Sequence, residues 1–306
     1  MSILEKKVTG IEEGTKIREY LKMEMGLSTR LIRSASIDKR IFVNDIPVKM
    51  NRVINEGEVI KIDLAKDESQ DIAPEKMDIE IIYEDEDILV VNKKPFMVVH
   101  PTKSYQSGTL ANGVINYFME SGQNCIVRLV SRLDMNTSGL IIIAKNQFSH
   151  GMLSKEMTEN KVTKRYLAVV HGILENEEGT IDRPIYRPEG IDFGIMRIVD
   201  ERGQRSITHY KVIEKYENAS LVECTLETGR THQIRVHLSS IGHPIYGDSL
   251  YGSGDEEQDL ISRQALHAYS LDFRSPRTGE ILSLKSNLPE DIKTLIEKIR
   301  SEEHTS

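Results

Sequence analysis

The sequence lacks any apolar run near the roughly 20 residues that a membrane-spanning helix requires. Its first residues, MSILEKKVTGIEE, also lack the apolar stretch of a secretory signal peptide. There are only two cysteines, Cys125 and Cys224, which lie far apart without the spacing of metal ligands or of a disulfide framework. We therefore expect both to be buried thiols in the reducing environment of the cytoplasm.

Sequence signals of several enzyme classes are also missing. There is no glycine-rich phosphate loop and no Cys/His cluster, which is consistent with a reaction that needs neither cofactor nor metal. A serine hydrolase is disfavoured because no Gly-x-Ser-x-Gly motif occurs. His232, His237 and His243 raise the alternative of a zinc hydrolase, but their spacing does not match a His-Glu-x-x-His helix.

Charge is distributed unevenly along the 306 residues. The net charge of −8 argues against nucleic-acid binding by the chain as a whole, since RNA is normally bound by a basic surface. Residues 14–41, however, contain seven Lys/Arg and three Asp/Glu, a local charge of +4. The basic region near the N-terminus is therefore the candidate RNA-binding surface.

Residues 1–64 are predicted to form a small α/β domain. Thr15 is a candidate cap for a first helix that carries Ile17 and Tyr20 at helical spacing and ends at Gly26. A second helix is expected from Ser28, followed by strands within 41–48 and 53–62. The polar, proline-containing segment 65–77 is then predicted to be a linker.

Residues 78–301 are predicted to form a larger domain, followed by a disordered tail at 302–306. Many strands and few helices in this region favour an α+β fold with a mixed, mostly antiparallel sheet. The apolar run 140–144 is typical of a strand that is buried on both faces. The other expected strands are 79–83, 88–92, 165–170, 207–213 and 220–226, and the expected helices are 110–118, 147–158, 231–240 and 289–300.

Three segments carry residues suited to catalysis. The loop 130–139 presents Asp134 among small polar residues directly before the buried strand. Arg230 lies in a turn between a strand and a helix, where a guanidinium can bind a carboxylate with two hydrogen bonds. Tyr166 lies in a strand among apolar residues. By position alone, a turn-capping aspartate, a surface arginine and a core tyrosine remain the simpler interpretations.

The order and spacing of these segments resemble the pseudouridine synthases of the RluA type. The resemblance covers residues from about 79 to 300. It rests on Arg132-Leu133-Asp134 with Thr137-Ser138-Gly139, on Arg165-Tyr166-Leu167-Ala168, and on Gly229-Arg230-Thr231-His232-Gln233-Ile234-Arg235. Further matches are Asn92-Lys93-Lys94-Pro95, His100-Pro101, Thr208-His209-Tyr210 and His243-Pro244-Ile245-Tyr246-Gly247-Asp248. Ser131 departs from the pattern, because this position is commonly His in the family.

The resemblance implies a pseudouridine synthase that isomerises specific uridines in structured RNA without a cofactor. Asp134 would be the catalytic carboxylate, with Tyr166 as the surface on which the extruded base stacks and Arg230 as an ion-pair partner that keeps Asp134 charged. The side chains implied to contact the substrate are Arg132, Leu133, Thr137, Ser138, Gly139, His232, Gln233 and Arg235. We expect a monomer that acts on large-subunit ribosomal RNA. A transfer RNA target and a non-catalytic RNA-binding assembly factor are the alternatives.

The N-terminal unit is similar to the small RNA-binding module of ribosomal small-subunit protein four. This similarity implies that its two basic helices bind RNA, in agreement with the local charge. The side chains expected to contact RNA are Lys16, Arg18, Arg30, Arg33, Lys39 and Arg40.

Overall fold

The computed structural model describes residues 2–65, 70–190 and 195–303. The N-terminal unit is a four-stranded sheet, ordered β1-β4-β2-β3, with two helices. Its elements are β1 (Ile3–Lys7), α1 (Ile17–Met23), α2 (Thr29–Ile37), β2 (Ile41–Val43), β3 (Ile46–Pro47) and β4 (Val59–Asp63). Helix α2 begins at Ser28, as predicted, and Ser28 caps it by accepting a hydrogen bond from the backbone N–H of Leu31. The cap residue of α1 is Lys16 rather than Thr15.

Strand β1 was not predicted from the sequence. It contains three charged residues in five positions and has little apolar character of its own. It forms because it pairs antiparallel with β4, where Leu4 lies opposite Ile62 and both side chains are buried. Pairing with a distant strand therefore decides the structure of a segment whose local sequence is ambiguous.

The larger unit is built on a ten-stranded sheet whose main path is β10-β13-β14-β9-β15-β8-β6-β5, with β16 beside β15 and β7 beside β8. Among the described residues, every pairing in this sheet is antiparallel except that of β8 with β15. The predicted α+β fold with a mostly antiparallel sheet is confirmed. The strands are β5 (Glu80–Glu84), β6 (Ile88–Lys93), β7 (Arg128–Leu129), β8 (Ser138–Ala144), β9 (Thr163–His171), β10 (Glu178–Asp182), β11 (Ile185–Tyr186), β12 (Ile198–Val199), β13 (Ile207–Lys215), β14 (Ala219–Leu226), β15 (Leu266–Arg274) and β16 (Ile281–Lys285); β11 and β12 pair separately.

Four helices cover the sheet: α3 (Leu110–Glu120), α4 (Gln147–Thr158), α5 (Gln233–Ser240) and α6 (Glu290–Glu303). Strand β8 is buried along its whole length, because alternate residues pack against the α3 side and the α4 side of the sheet. Helix α6 continues through Glu303, so the first two residues of the expected tail are helical, and 304–306 lie outside the described residues. Within the described ranges, no helix is long and apolar enough to cross a membrane.

The expected linker, residues 65–77, is held against the larger unit over its second half. Ile72 is buried in the core beneath α3. The Gln70 side chain exchanges two hydrogen bonds with the backbone of Val127, at 2.9 and 3.2 Å. The Asn112 amide donates to the carbonyl of Ala73 at 2.8 Å. Residues 70–73 are thus fixed by contacts rather than extended in solvent, and 66–69 lie outside the described residues.

The two units are packed against each other. Phe148, on α4, is buried in the hydrophobic core of the N-terminal unit, and Met152, one turn later, packs against the same core. On the other side of the contact, Arg277 donates to Asp87 at 2.9 Å, to the hydroxyl of Ser2 at 3.0 Å and to the carbonyl of Ile3. An apolar contact and a charged one therefore hold the N-terminal unit on the larger unit.

Candidate active site

Asp134 lies in the loop between β7 and β8, on the wall of a cleft of about 840 Å³. The cleft is lined by the 129–134 loop with Thr137, by the end of α4, by Lys164 and Tyr166 of β9, and by the segment 226–235. The predicted cluster of Asp134, Tyr166 and Arg230 is thus brought together around one cavity. This result follows from the sheet order, because β9 and β8 both neighbour β15.

The loop is stabilised just after Asp134 by a tight turn, in which the backbone N–H of Thr137 donates to the carbonyl of Asp134 at 3.1 Å. Gly139 follows with a φ of +118°, and a Cβ here would lie 2.3 Å from the carbonyl oxygen of Ala268. Only glycine therefore lets the parallel strands β8 and β15 approach this closely. Ser138 is bonded to His267 at 2.9 Å.

These contacts correct part of the expected substrate-binding set. Ser138 and Gly139 are buried against β15 and do not line the cleft, so their role is to hold the loop. Thr137 does line the cleft, and its hydroxyl accepts from Gln264 at 3.2 Å. Arg132 is exposed on the cleft wall, whereas Leu133 is partly buried between two core clusters.

Lys93 ties the Asp134 loop to the neighbouring chain segment. Its Nζ donates at 2.9 Å to each of three carbonyls, those of Lys94, Met97 and Met135. The side chain is only 1% exposed, and burial lowers the pKa of Lys93 to about 7, helped by nearby Arg263 and opposed by Asp134. Lys93 belongs to one of the matched motifs, but its role could not be inferred from the sequence.

The charged partner of Asp134 is Arg235, not Arg230. Arg235 Nη1 lies 3.4 Å from Asp134 Oδ2, while its Nε and Nη2 each donate at 2.7 Å to the fully buried carboxylate of Asp248. Burial opposes the charge on Arg235, but the hydrogen bonds and the charge of Asp248 outweigh it and raise the pKa of Arg235. Arg235 is thus a fixed cation between two carboxylates.

Arg230 has a different environment. It lies on the cleft wall in the turn before α5, where its side chain is exposed and its Nε donates to the carbonyl of Arg205 at 3.4 Å. The turn ends at His232, whose φ of +58° delays the start of the helix to Gln233. The expected ion pair between Arg230 and Asp134 is therefore replaced by that of Arg235, which lies within the first turn of α5.

The turn itself is held by Gln233. Its side-chain oxygen accepts from the backbone N–H of Arg230 and from Thr228, and its amide nitrogen donates to Ile207 and Thr208. Every hydrogen-bonding atom of this side chain is thus occupied, and Gln233 is only 2% exposed. Gln233 therefore holds the turn in place, and the expectation that it contacts the substrate is corrected.

His232 lies next to Asp134 in the cleft lining, with Nε2 4.0 Å from Oδ2. Its Nδ1 is 2.8 Å from the hydroxyl of Tyr251, whose ring also lies 5.0 Å from the Arg235 guanidinium. Burial lowers the pKa of His232 against the opposing effect of Asp134, which favours a neutral ring. Tyr251 was not found from the sequence, because nothing in its local pattern distinguishes it from other loop tyrosines.

The histidines do not support the zinc alternative. His237 is fully buried and bonded to the Thr208 hydroxyl and the Arg183 carbonyl, away from His232. Across the described part of the chain, no three His, Cys, Asp or Glu side chains are grouped as a metal site.

Tyr166 is 8% exposed and lies on the cleft wall. Burial, followed by the charge of Asp134, raises the pKa of Tyr166, so its hydroxyl stays protonated near neutral pH. A protonated phenol can donate a hydrogen bond, and the aromatic residue is part of the cleft lining. Neither property conflicts with the expected stacking role.

The basic residues of the N-terminal unit differ in exposure. Five of the six residues expected to contact RNA are exposed: Lys16, Arg18, Arg30, Arg33 and Lys39. Arg40 is instead partly buried, donating to the carbonyl of Asp63 at 2.5 Å and pairing with Asp38 at 3.2 Å. The expectation that Arg40 binds RNA is thus corrected, since its donors hold the end of β4.

Comparisons with known proteins show the family of the chain. The RNA pseudouridylate synthase family matches residues 87–240, a range that includes Asp134 and Arg235. The uncharacterized RNA pseudouridine synthase YlyB of Bacillus subtilis is 43% identical over 266 residues, 86% of each chain. Ribosomal large subunit pseudouridine synthase D of Neisseria meningitidis is 38% identical over 86% of this chain and 72% of its own.

Solved structures show the same likeness. Human RNA pseudouridylate synthase domain containing 1 has a TM-score of 0.58 and 27% identity, over 73% of this chain and 95% of its own. The sequence relatives, the matched family and this shared fold lead to one conclusion. The chain belongs to the RNA pseudouridylate synthase family and is an RNA pseudouridine synthase.

Proposed function

We propose that this enzyme converts uridine to pseudouridine in large-subunit ribosomal RNA, with Asp134 as the catalytic carboxylate. The observation that carries the proposal is the pairing of Asp134 with Arg235 at the wall of the cleft, 3.4 Å apart. The choice of RNA is supported by relatives named ribosomal large subunit pseudouridine synthase D, which are 38–39% identical to this chain.

The reaction breaks the C1′–N1 glycosidic bond, turns the uracil and joins C1′ to C5, while a proton leaves C5 and N1 gains one. Atoms and electrons balance within the nucleotide, so we propose that no cofactor takes part. The enzyme must supply an ionised group that attacks the nucleotide or removes a proton from the sugar. Arg235 Nη1 lies 3.4 Å from Asp134 Oδ2, and this ion pair fixes the direction in which the carboxylate points.

The target uridine must leave its stack to reach this carboxylate, at a cost of a few kcal/mol. We propose that contacts with the cleft wall offset this cost. Tyr166 would stack on the uracil, and Leu133 and Thr137 would enclose it. His232, held by Tyr251, would border the nucleotide beside Asp134. Arg132 and Arg230 are exposed cations on the rim, suited to bind phosphates beside the target.

The N-terminal unit is proposed to bind the same RNA outside the cleft. Its exposed basic side chains lie on α1, on α2 and beside their ends, consistent with an RNA-binding module like that of ribosomal small-subunit protein four. Because this unit packs on α4, whose last residues line the cleft, one RNA can contact both surfaces of one monomer.

The test is Asp134→Asn, assayed by tritium release from RNA that carries 5-tritiated uridine. We expect no detectable turnover, with RNA affinity and thermal stability near those of the wild type, since asparagine keeps the shape of the side chain but cannot ionise. Asp255→Asn, at an exposed aspartate outside the cleft lining, is the matched control and should be fully active. Turnover by Asp134→Asn would reject the assignment.

The target is tested by mapping pseudouridine in cells with and without the gene. We expect the loss of one or more pseudouridines from large-subunit ribosomal RNA, restored by the wild-type gene but not by Asp134→Asn. Loss from transfer RNA alone would favour the first alternative. An unchanged map, combined with a ribosome assembly defect, would favour a non-catalytic assembly factor.

A further inference from the structure

Phe96 has an unusual conformation for a bulky residue. Its φ is +59°, in the left-handed region that glycine adopts freely and that aromatic residues avoid. The ring gains no compensating burial, because the residue is 57% exposed. A large apolar side chain that is both strained and exposed is unfavourable for folding, and such residues concentrate at functional sites.

The backbone around Phe96 is rigidly joined to the catalytic loop. Met97 donates its backbone N–H to the carbonyl of Met135 at 3.2 Å, directly beside Asp134. The buried Nζ of Lys93 bonds the carbonyls of Lys94 and Met97, on either side of Phe96, and that of Met135 as well. Phe96 therefore has a fixed position relative to the reacting carboxylate, and its left-handed backbone is set by these bonds.

The surface next to Phe96 has the character of a nucleic-acid contact. Met135, across the hydrogen bond from Met97, is 37% exposed, and the Lys94 side chain, also exposed, is paired with Asp78 at 2.6 Å. Two exposed apolar side chains, those of Phe96 and Met135, thus lie at the edge of the catalytic loop. Unstacked bases bind to aromatic rings.

We propose that Phe96 is a stacking residue for a base next to the target uridine, with Met135 extending the apolar surface. Turning one nucleotide into the cleft leaves the face of its neighbour uncovered, and Phe96 takes the place of the lost stacking partner. The residue thereby lowers the cost of extruding the target. This inference depends on the proposed RNA substrate and adds a second aromatic contact, outside the cleft, to that of Tyr166.

The test compares Phe96→Gly with Phe96→Tyr on a structured ribosomal RNA fragment that the wild type modifies. Glycine removes the ring and suits the left-handed backbone, so Phe96→Gly should melt at the wild-type temperature or above. Stacking of a base on an aromatic ring contributes enough that we expect Kd and kcat/KM to worsen about 5- to 100-fold. Phe96→Tyr retains the stacking face and should stay within about twofold of the wild type. Ile281→Ala, at a similarly exposed apolar residue on β16, is the control for loss of apolar surface.

If Phe96 makes no contact with RNA, the binding and kinetic constants should not change. Phe96→Gly would then have the Kd and kcat/KM of the wild type, which would overturn the inference. The two proposals can be told apart, because wild-type inactivity on every ribosomal RNA fragment rejects the proposed target. Wild-type activity with an unaffected Phe96→Gly rejects only the stacking role.

Discussion

Replacing Arg235 by lysine is the sharpest test of how the site is organised. Arg235 reaches two carboxylates at once, with two donors at 2.7 Å from Asp248 and a third at 3.4 Å from Asp134. Lysine keeps the charge but has a single nitrogen, which cannot reproduce this fork. Asp248 is fully buried and will retain the ammonium, because an unpaired buried charge is very costly. Asp134 then loses its positioning contact.

The expected loss can be estimated from this geometry. A displacement of about 1 Å at a reacting group costs on the order of 100-fold in rate, so kcat of Arg235→Lys should fall by about that factor. One of the two charge-assisted hydrogen bonds to Asp248 is also lost, which should lower the free energy of unfolding by about 1.5–3 kcal/mol. Tritium release under single-turnover conditions gives the rate, and urea denaturation gives the stability.

Arg230→Lys is the matched control, since Arg230 lies on the same cleft wall without contacting Asp134. It should raise KM for RNA and leave kcat within about threefold of the wild type, because phosphate binding rather than carboxylate placement is affected. A wild-type kcat for Arg235→Lys, or a loss of kcat in Arg230→Lys alone, would refute the assignment of the two arginines.

Two further predictions follow from buried or half-buried cations. Folding lowers the pKa of Lys93 from its ordinary 10.5 to about 7. Between these two pH values, the unfolded chain binds a proton at Lys93 that the folded protein does not bind. The contribution of Lys93 to the free energy of unfolding therefore rises with pH. Urea midpoints from pH 6.5 to 9.5 should therefore rise more steeply for the wild type than for Lys93→Met; equal slopes would contradict this. Arg40→Ala should lower the melting temperature and scarcely change RNA affinity, because Arg40 holds the backbone of Asp63. Arg33→Ala, at an exposed arginine, should weaken RNA binding and leave the melting temperature unchanged. Weaker RNA binding by Arg40→Ala at an unchanged melting temperature would restore Arg40 to the RNA-binding surface.

Local sequence patterns predicted much of the fold. Strand β8 follows from an unbroken apolar run, and α4 begins where Asn146 caps the backbone of Ser149. Helix bounds elsewhere differ by a few residues, as at α1, where the cap is Lys16. Strands such as β1 and β15 were missed, since their stability comes from partners far away in the chain.

The site was predictable in location but not in its contacts. The spacing of the motifs brought Asp134, Tyr166 and Arg230 to one cavity. Which arginine reaches the carboxylate depends on the residue at which α5 begins, and the left-handed backbone of His232 is not evident from the sequence. Lys93 and Asp248 are recognised only when burial is known, because each is costly to bury unless it is bonded as the structure shows.

Helix α4 has a consequence for how this enzyme should be dissected. Phe148 belongs to the core of the N-terminal unit, while Met157, nine residues and about 14 Å further along the same helix, lines the cleft. Removing the N-terminal unit would expose Phe148, at a cost of about 1.5–3 kcal/mol for that side chain alone. A loss of activity in the truncated enzyme could thus come from damage to the larger unit as well as from lost RNA contacts. Point substitutions on the exposed basic surface separate these two causes.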